Sequence, residues 1–214
     1  MIFKKHLYLS IVLLSISVLS AQNVRFGLKG GLNISTLTVR GINLKGDLSY
    51  KPGFHVGALI SSTISKEFSI QTEFLFSNQG YNYDEDTYEM VGNINYFAIP
   101  VMVMYFPTKK FNFQAGPQVS FLMSHKAEIS MKGDEFDPLD PGFSKNTTVD
   151  LKDSTQSVEL GMNVGLGYKI NDNVFFSGRY NFGITTVNKK ESGPKASGEE
   201  DRNSVFQFSV GYLF

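Results

Sequence analysis

The sequence lacks cysteine and tryptophan, and neither sign of charge dominates it. Without cysteine the chain can form no disulfide framework, no thiolate metal site and no cysteine nucleophile. Basic and acidic side chains both number 20 among the 214 residues. Nucleic-acid binding requires a concentrated basic surface that displaces counterions. We therefore expect no nucleic-acid partner, and a chain of this length predicts one domain.

Long apolar runs are also missing, except near the amino terminus. Two lysines precede an apolar stretch from Leu7 to Leu19, and small residues follow it up to Ala21. This order predicts a secretory signal peptide, because the apolar part is too short for a comfortable membrane helix. We predict a signal peptide at residues 1–21 and an exported barrel domain at residues 22–214. An uncleaved membrane anchor is the alternative.

What is present is an alternation of apolar and polar residues, which is typical of β-strands. In residues 68–77, Phe68 and Phe74 share one face, whereas Gln71 and Glu73 share the other. Eight segments of this kind predict eight strands. They are residues 24–33, 54–61, 68–77, 96–106, 111–123, 158–170, 174–184 and 205–214.

The connections between these segments alternate in length, so long loops gather at one end and tight turns at the other. The short connections are residues 65–67, 107–110 and 171–173, and the long ones are residues 34–52, 78–93, 124–157 and 185–204. This arrangement indicates an antiparallel up-and-down meander that closes on itself, as in outer-membrane barrels.

The composition of the two strand faces indicates which face contacts lipid and which faces the lumen. The apolar face carries no charged residue in any of the eight segments, and the other face is rich in glycine, asparagine and glutamine. A water-facing exterior is normally richer in lysine and glutamate, whereas a crowded lumen favours small residues and paired charges. We predict an all-β fold, an eight-stranded antiparallel transmembrane barrel in the cell outer membrane with lipid as its partner. A soluble barrel with an apolar interior is the alternative.

Isolated charges on the polar face form the first candidate site. Because an unpaired buried charge is costly, we predict that they form a plug of ion pairs and hydrogen bonds in the lumen. A binding or proton-relay cluster is the alternative. The predicted plug residues are Lys29, Glu73, Glu159, Lys169 and Arg179.

The last strand provides the second candidate site. The sequence FQFSVGYLF alternates apolar residues and ends on Tyr212 and Phe214. It resembles the signal that the outer-membrane assembly machinery reads on its barrel substrates. We therefore expect Tyr212 and Phe214 to act in assembly, with that machinery as a partner.

Several stretches, taken in order, carry a resemblance to a known family. They are FGLKGGLNIS, NYFAIPVMVMYF, FQAGPQVSFLM, LGMNVGLGYKI, GRYNFGIT and VGYLF. Together they resemble the PorT-like, porin-like outer-membrane β-barrels of Bacteroidetes. In that family the fourth strand commonly carries an acidic and a basic residue where this sequence has Ala98 and Met104. One family member is implicated in type IX secretion, so the resemblance implies an envelope protein complex as a further partner.

We interpret the protein as a non-enzymatic anchor or accessory subunit of an envelope or secretion complex. A narrow porin-like pore for small solutes is the alternative, and a lipid-modifying enzyme that uses Ser124 and His125 is a weaker one. Acidic segments at residues 83–89 and 133–142 do not match a regular calcium loop. We therefore expect no catalytic residue, no cofactor and no metal site.

Two prolines lie inside predicted strands. Pro100 and Pro117 lack the amide that a sheet ladder requires. Since a closed barrel has no edge strand to accommodate them, we predict a β-bulge at each.

Overall fold

A computed structural model describes residues 24–40, 46–132, 146–189 and 200–214. The predicted signal peptide, residues 1–21, lies outside the described residues. The strands are β1 Val24–Arg40, β2 Asp47–Ser49, β3 Lys51–Thr63, β4 Phe68–Asp84, β5 Tyr88–Tyr105, β6 Phe111–Met131, β7 Asn146–Asp150, β8 Val158–Lys169, β9 Val174–Gly183 and β10 Glu200–Leu213. A short 3-10 helix at Lys152–Ser154 precedes β8. Among the described residues, no helix has the length and apolar character needed to span a membrane.

Eight of the strands close into one antiparallel ring in the order β1, β3, β4, β5, β6, β8, β9, β10 and back to β1. The first and last strands form the closing pair, in which Leu28 is opposite Tyr212 and Leu32 is opposite Phe208. Closure is required in lipid, because a free strand edge would leave its backbone groups without hydrogen bonds. The predicted eight-stranded antiparallel barrel is confirmed.

The apolar face of the ring strands points outward, and the polar face points into the lumen. Phe26 and Phe208 are 61% and 54% exposed, whereas Asn33 and Gln207 are buried. A water-soluble protein buries residues of the first kind and exposes those of the second. This inverted distribution suits a surface that faces lipid.

The three short connections are tight turns, as predicted, and each is closed by a side-chain oxygen. The Ser65 hydroxyl accepts from the amide of Phe68 at 3.1 Å, and the Thr108 hydroxyl accepts from the amide of Phe111 at 3.1 Å. The Asn171 side chain accepts from the amide of Val174 at 2.7 Å. Serine, threonine and asparagine commonly stabilise turns in this way. We call this end of the barrel the turn end and the opposite one the loop end.

At the loop end the strands are longer than predicted. β4 reaches Asp84, β5 begins at Tyr88 and β6 reaches Met131, so the predicted loop at residues 78–93 is mostly a paired hairpin. β2 pairs with β4, and β7 pairs with β6. We call this extension of β4, β5 and β6, with β2 and β7, the projection.

The projection was not recognised in the sequence because its polarity is opposite to that of the lower barrel. Its outward side chains are mostly polar: Asn78 donates to Asn95 Oδ1 at 2.7 Å, and Asn95 donates to Ser124 Oγ at 2.9 Å. This row of hydrogen bonds lies where the outward apolar residues of β4, β5 and β6 end. Outward polar groups are expected where the wall leaves the lipid.

The inner face of the projection is apolar. A cluster of Tyr81, Ile94, Tyr96 and Val187 is buried there. A methyl group on Gly92 would lie 2.4 Å from the Tyr81 ring, so the ring can occupy this position only because residue 92 is glycine. Burial of each large apolar side chain contributes roughly 1.5–3 kcal/mol. The side chains that pack around the cluster are Leu37, Leu48, Tyr83, Met90 and Leu122.

The prediction of bulges at the prolines is wrong. The pairing of β5 with β6 is interrupted at residues 101–102 and 116–117. Pro100 is opposite Gln118 before this gap and Val103 is opposite Ala115 after it, so the register is the same on both sides and no extra residue is inserted. Pro117 lies within this gap, and the gap omits the ladder bonds that proline cannot make. The register shift of this strand pair occurs instead between Asn95 and Tyr96.

Candidate functional site

The centre of the lumen holds a carboxylate with several donors around it. Arg179 donates to both oxygens of Glu73, from Nη1 at 2.9 Å and from Nη2 at 2.6 Å. Lys29 Nζ lies 3.1 Å from Glu73 Oε2, and Gln71 donates to Glu73 Oε1 at 2.6 Å. Arg179 Nε donates to Gln114 Oε1 at 2.6 Å. The two-point arginine–carboxylate contact is the strong and orienting form of an ion pair.

These side chains connect opposite walls of the barrel. In the eight-stranded ring, β4 lies opposite β9 and β1 lies opposite β6. The Glu73–Arg179 pair therefore crosses the lumen from β4 to β9, and Lys29 and Gln114 reach it from the other two walls. We call Lys29, Glu73, Gln114 and Arg179 the charged brace. The side chains of Lys29 and Glu73 are 0% exposed, so they are closed off from solvent at both ends of the barrel.

A layer of neutral hydrogen bonds lies next to the brace on its loop-end side. His55 Nδ1 lies 2.8 Å from Asn33 Oδ1, and His55 Nε2 lies 2.8 Å from Ser209 Oγ. Asn33 Nδ2 donates to Ser77 Oγ at 3.0 Å. Buried polar groups need partners of this kind, and here β1, β3, β4 and β10 supply them to one another.

Nearer the loop end, a second set of side chains crosses the lumen. Asn203 on β10 donates to the Tyr96 hydroxyl on β5 at 3.1 Å, and these strands also lie opposite each other. Asn203 also donates to Glu159 Oε2 on β8 at 2.5 Å. No ion pair joins Glu159 to a lysine or arginine of the described ranges. We call Tyr96, Glu159 and Asn203 the outer brace.

The five predicted plug residues do not form one cluster. Lys29, Glu73 and Arg179 come together in the charged brace, whereas Glu159 belongs to the outer brace. Lys169 is half-buried at the turn end, where its ammonium lies 4.3 Å from the centroid of the Phe106 ring. Strand alternation indicates which residues face the lumen, but it does not indicate their height along the barrel axis.

Sequence reasoning did not single out the neutral partners of these charges. Gln71, Gln114, Tyr96 and Asn203 all lie on the inward side of their strands. The inward orientation of Gln71 and Gln114 can be predicted from the sequence, because they alternate with apolar residues that face outward. The inward orientation of Tyr96 cannot be predicted in this way, because both faces of the segment around it are apolar.

Ser124 and His125 lie on opposite faces of β6. Ser124 points outward to Asn95, and His125 points inward, with its Nδ1 2.7 Å from Thr155 Oγ1. Adjacent residues of a strand point in opposite directions, so this pair cannot work as nucleophile and base. No group of three potential metal ligands occurs in the described part of the chain, and residues 133–142, which we considered for calcium, lie outside it.

Tyr212 and Phe214 point outward at the turn end, with ring centroids 5.4 Å apart. The amide of Phe214 donates to the carbonyl of Phe26 at 2.8 Å. Arg25 donates to the carbonyl oxygens of Leu213 and Phe214, at 2.9 Å in each case, and also to that of Asp172. The last strand is thus held against the first by side-chain as well as ladder hydrogen bonds.

Comparison with solved structures identifies several small outer-membrane proteins. Ail, the attachment invasion locus protein of Yersinia pestis, is 12% identical with a TM-score of 0.47, over 90% of this chain and 99% of Ail. OprG from Pseudomonas aeruginosa is 12% identical with a TM-score of 0.44, over 90% of this chain and 96% of OprG. A major outer membrane protein from Thermus thermophilus is 12% identical with a TM-score of 0.46, over 89% of this chain and 99% of that protein.

None of the curated proteins matches this sequence significantly. Residues 20–189 match the model of a family described as outer membrane protein beta-barrel domain. This match covers most of the chain and includes seven of the eight ring strands. The chain belongs to this family of outer membrane β-barrel domains, and its location is the outer membrane.

Proposed function

We propose that this barrel is a non-enzymatic and non-conducting anchor or accessory subunit of an envelope complex, exported with a cleaved signal peptide. The observation that carries the proposal is the braced lumen. Glu73 and Arg179 join opposite walls, and their side chains are at most 1% exposed. A lumen that side chains fill favours a role carried out by the outer surfaces of the barrel.

The projection is the surface best suited to contact a partner. Lys132 forms ion pairs with Asp84 and Glu89, which join the tips of β4, β5 and β6. The hydrogen bond from Lys132 to Asp84 raises the pKa of this ammonium, and ladder pairing of β5 with β4 and β6 orders the strands up to the tip. An ordered surface loses less entropy on binding than a flexible loop does. The resemblance to the PorT-like family supports an envelope or secretion complex as the partner.

The two alternatives receive less support. A porin-like pore for small solutes would need a water path past Lys29 and Glu73, and both side chains are completely buried. A lipid-modifying enzyme would need Ser124 and His125 on one face of β6, and they lie on opposite faces.

We also propose that Tyr212 and Phe214 form the signal that the outer-membrane assembly machinery reads. Both residues lie at the turn end, and Phe214 is 67% exposed. Their side chains point away from the lumen, so a second protein can contact them while β10 is pairing.

The test of the accessory role is to extract the protein from its native outer membrane in mild detergent and measure the mass of the particle. We expect a stoichiometric assembly heavier than one barrel. Lys126→Glu, on the exposed outer face of the projection, should weaken it, and Lys66→Glu, in an exposed turn-end loop, should not. A particle of monomer mass in every detergent would contradict the proposal.

A further inference from the structure

We propose that the turn end of the lumen contains a binding site for a small anion with the chemistry of phosphate. Its cavity of about 60 Å³ lies on the turn-end side of the charged brace. This volume is well above the ~10–15 Å³ that one water molecule requires. The inference does not depend on the proposed accessory role. The lining residues that carry the argument are Arg25, Asn112, Lys169 and Arg179.

The charges around this cavity do not balance. Arg25, Lys169 and Arg179 line it, and no aspartate or glutamate does. Glu73 is the nearest carboxylate of the charged brace, and it is already shared between Arg179 and Lys29. Arg179 is buried, whereas Arg25 and Lys169 are half-buried, so three cations give this cavity a positive potential that favours an anion.

The carboxylates at this end lie outside the cavity. Among the described residues, Glu67 and Asp172 lie in exposed turns, and neither lines the cavity. Asp172 attracts Lys169 electrostatically, but neither carboxylate forms an ion pair with Arg25 or Lys169 in the part of the chain that the structure describes. Arg25 already donates to main-chain oxygens at the end of β10, so Lys169 is the cation with most to gain from a ligand. A bound anion would add the close counter-charge that the turns do not provide.

The lining also presents more donors than acceptors. Lys169 carries three N–H donors and contacts the Phe106 ring, which accepts no conventional hydrogen bond. The Asn112 carbonyl oxygen accepts from Gln114, so the amide nitrogen of Asn112 is available to a ligand. Arg179 makes hydrogen bonds to Glu73 and Gln114 through three of its five N–H groups. An oxyanion that mainly accepts hydrogen bonds suits such a lining.

The position of the charged brace determines how the anion enters. Lys29 and Glu73 are 0% exposed and lie between the cavity and the loop end. The anion must therefore come from the turn end, which is the periplasmic side in barrels of this family. The site is a closed pocket and not part of a conduction path.

The experiment is a calorimetric titration of sodium phosphate into the folded barrel in a non-ionic detergent, at constant ionic strength. We expect saturable binding with one phosphate per barrel. Lys169→Gln should weaken it at least roughly tenfold, which corresponds to the loss of one charge-assisted hydrogen bond. Lys66→Gln, in an exposed turn at the same end, should bind phosphate as the wild type does.

Two further measurements keep the test decisive. Heat-modifiable gel migration must show that Lys169→Gln is folded; if it is not, Asn112→Leu, which removes donors without changing charge, takes its place with the same expectation. Sodium chloride in the same titration distinguishes an oxyanion site from general charge screening. Absence of saturable phosphate binding, equal binding by the variant, or equal heat from chloride would each overturn the proposal.

Discussion

At the residue scale, one carboxylate organises the lower lumen. Glu73 accepts from Arg179, Lys29 and Gln71, so it compensates two buried cations. Removing one partner of a buried ion pair is far more costly than the pair is stabilising, because the remaining charge has no compensation. Glu73 is therefore the residue of the lumen on which stability should depend most.

We predict that Glu73→Gln lowers the free energy of unfolding by about 3–5 kcal/mol, because it leaves both Lys29 and Arg179 without a counter-charge. Lys29→Met should cost less, since Glu73 keeps its two-point contact with Arg179. Urea unfolding of the barrel in lipid vesicles, followed by far-ultraviolet circular dichroism, measures both values.

The matched control for this prediction is Glu128→Gln, on the exposed outer face of the projection. Its effect should stay within about 0.5 kcal/mol, as is usual for surface substitutions. A Glu73→Gln variant as stable as this control would contradict the prediction, because Lys29 and Arg179 would then be stable in the lumen without their counter-charge.

The sequence predicts which lumen residues point inward, but it does not predict which of them meet. Inward orientation of Lys29, Glu73 and Arg179 follows from alternation along single strands. That these three meet, while Lys169 remains apart, depends on the relative shift of neighbouring strands. The shift is set by pairing between distant segments, such as Leu59 opposite Glu73, and it leaves no signal in one strand alone.

At the element scale, the prediction succeeds at one end of the strands and fails at the other. The starts of β4, β6 and β9 at the turn end are as predicted, because compact turn formers such as Asn171 mark them. At the loop end β4 was expected to stop at residue 77 and continues to Asp84. The alternation inverts there, since the same strand passes from lipid to water.

The last strand supports a prediction about assembly. Phe214→Ala should lower the amount of folded barrel in the outer membrane severalfold, whereas Phe208→Ala should have a weaker effect. Both side chains point outward from β10 or its end and are more than half exposed, so they lose similar lipid contact. Quantitative blotting of heat-modifiable protein in outer-membrane fractions measures the difference. Equal reductions would indicate a packing role for Phe214 and no specific role in assembly.

At the scale of the whole molecule, the barrel has two layers of opposite polarity. The lower layer is apolar outside and is braced by Glu73 and Arg179 inside. The upper layer is polar outside and packs Tyr81 and Ile94 inside. Both layers fill the lumen, one with paired charges and the other with apolar side chains. The lumen is therefore blocked between its two ends, which supports the proposed role of the outer surfaces as partner contacts.

Single-channel recording in planar bilayers measures whether ions pass through this lumen, and we predict that none do. Protein shown to be folded by heat-modifiable migration should give no discrete current steps, at a load where a known porin gives many. Reproducible steps of one size would contradict the account, because ions would then have to pass the buried Glu73–Arg179 pair.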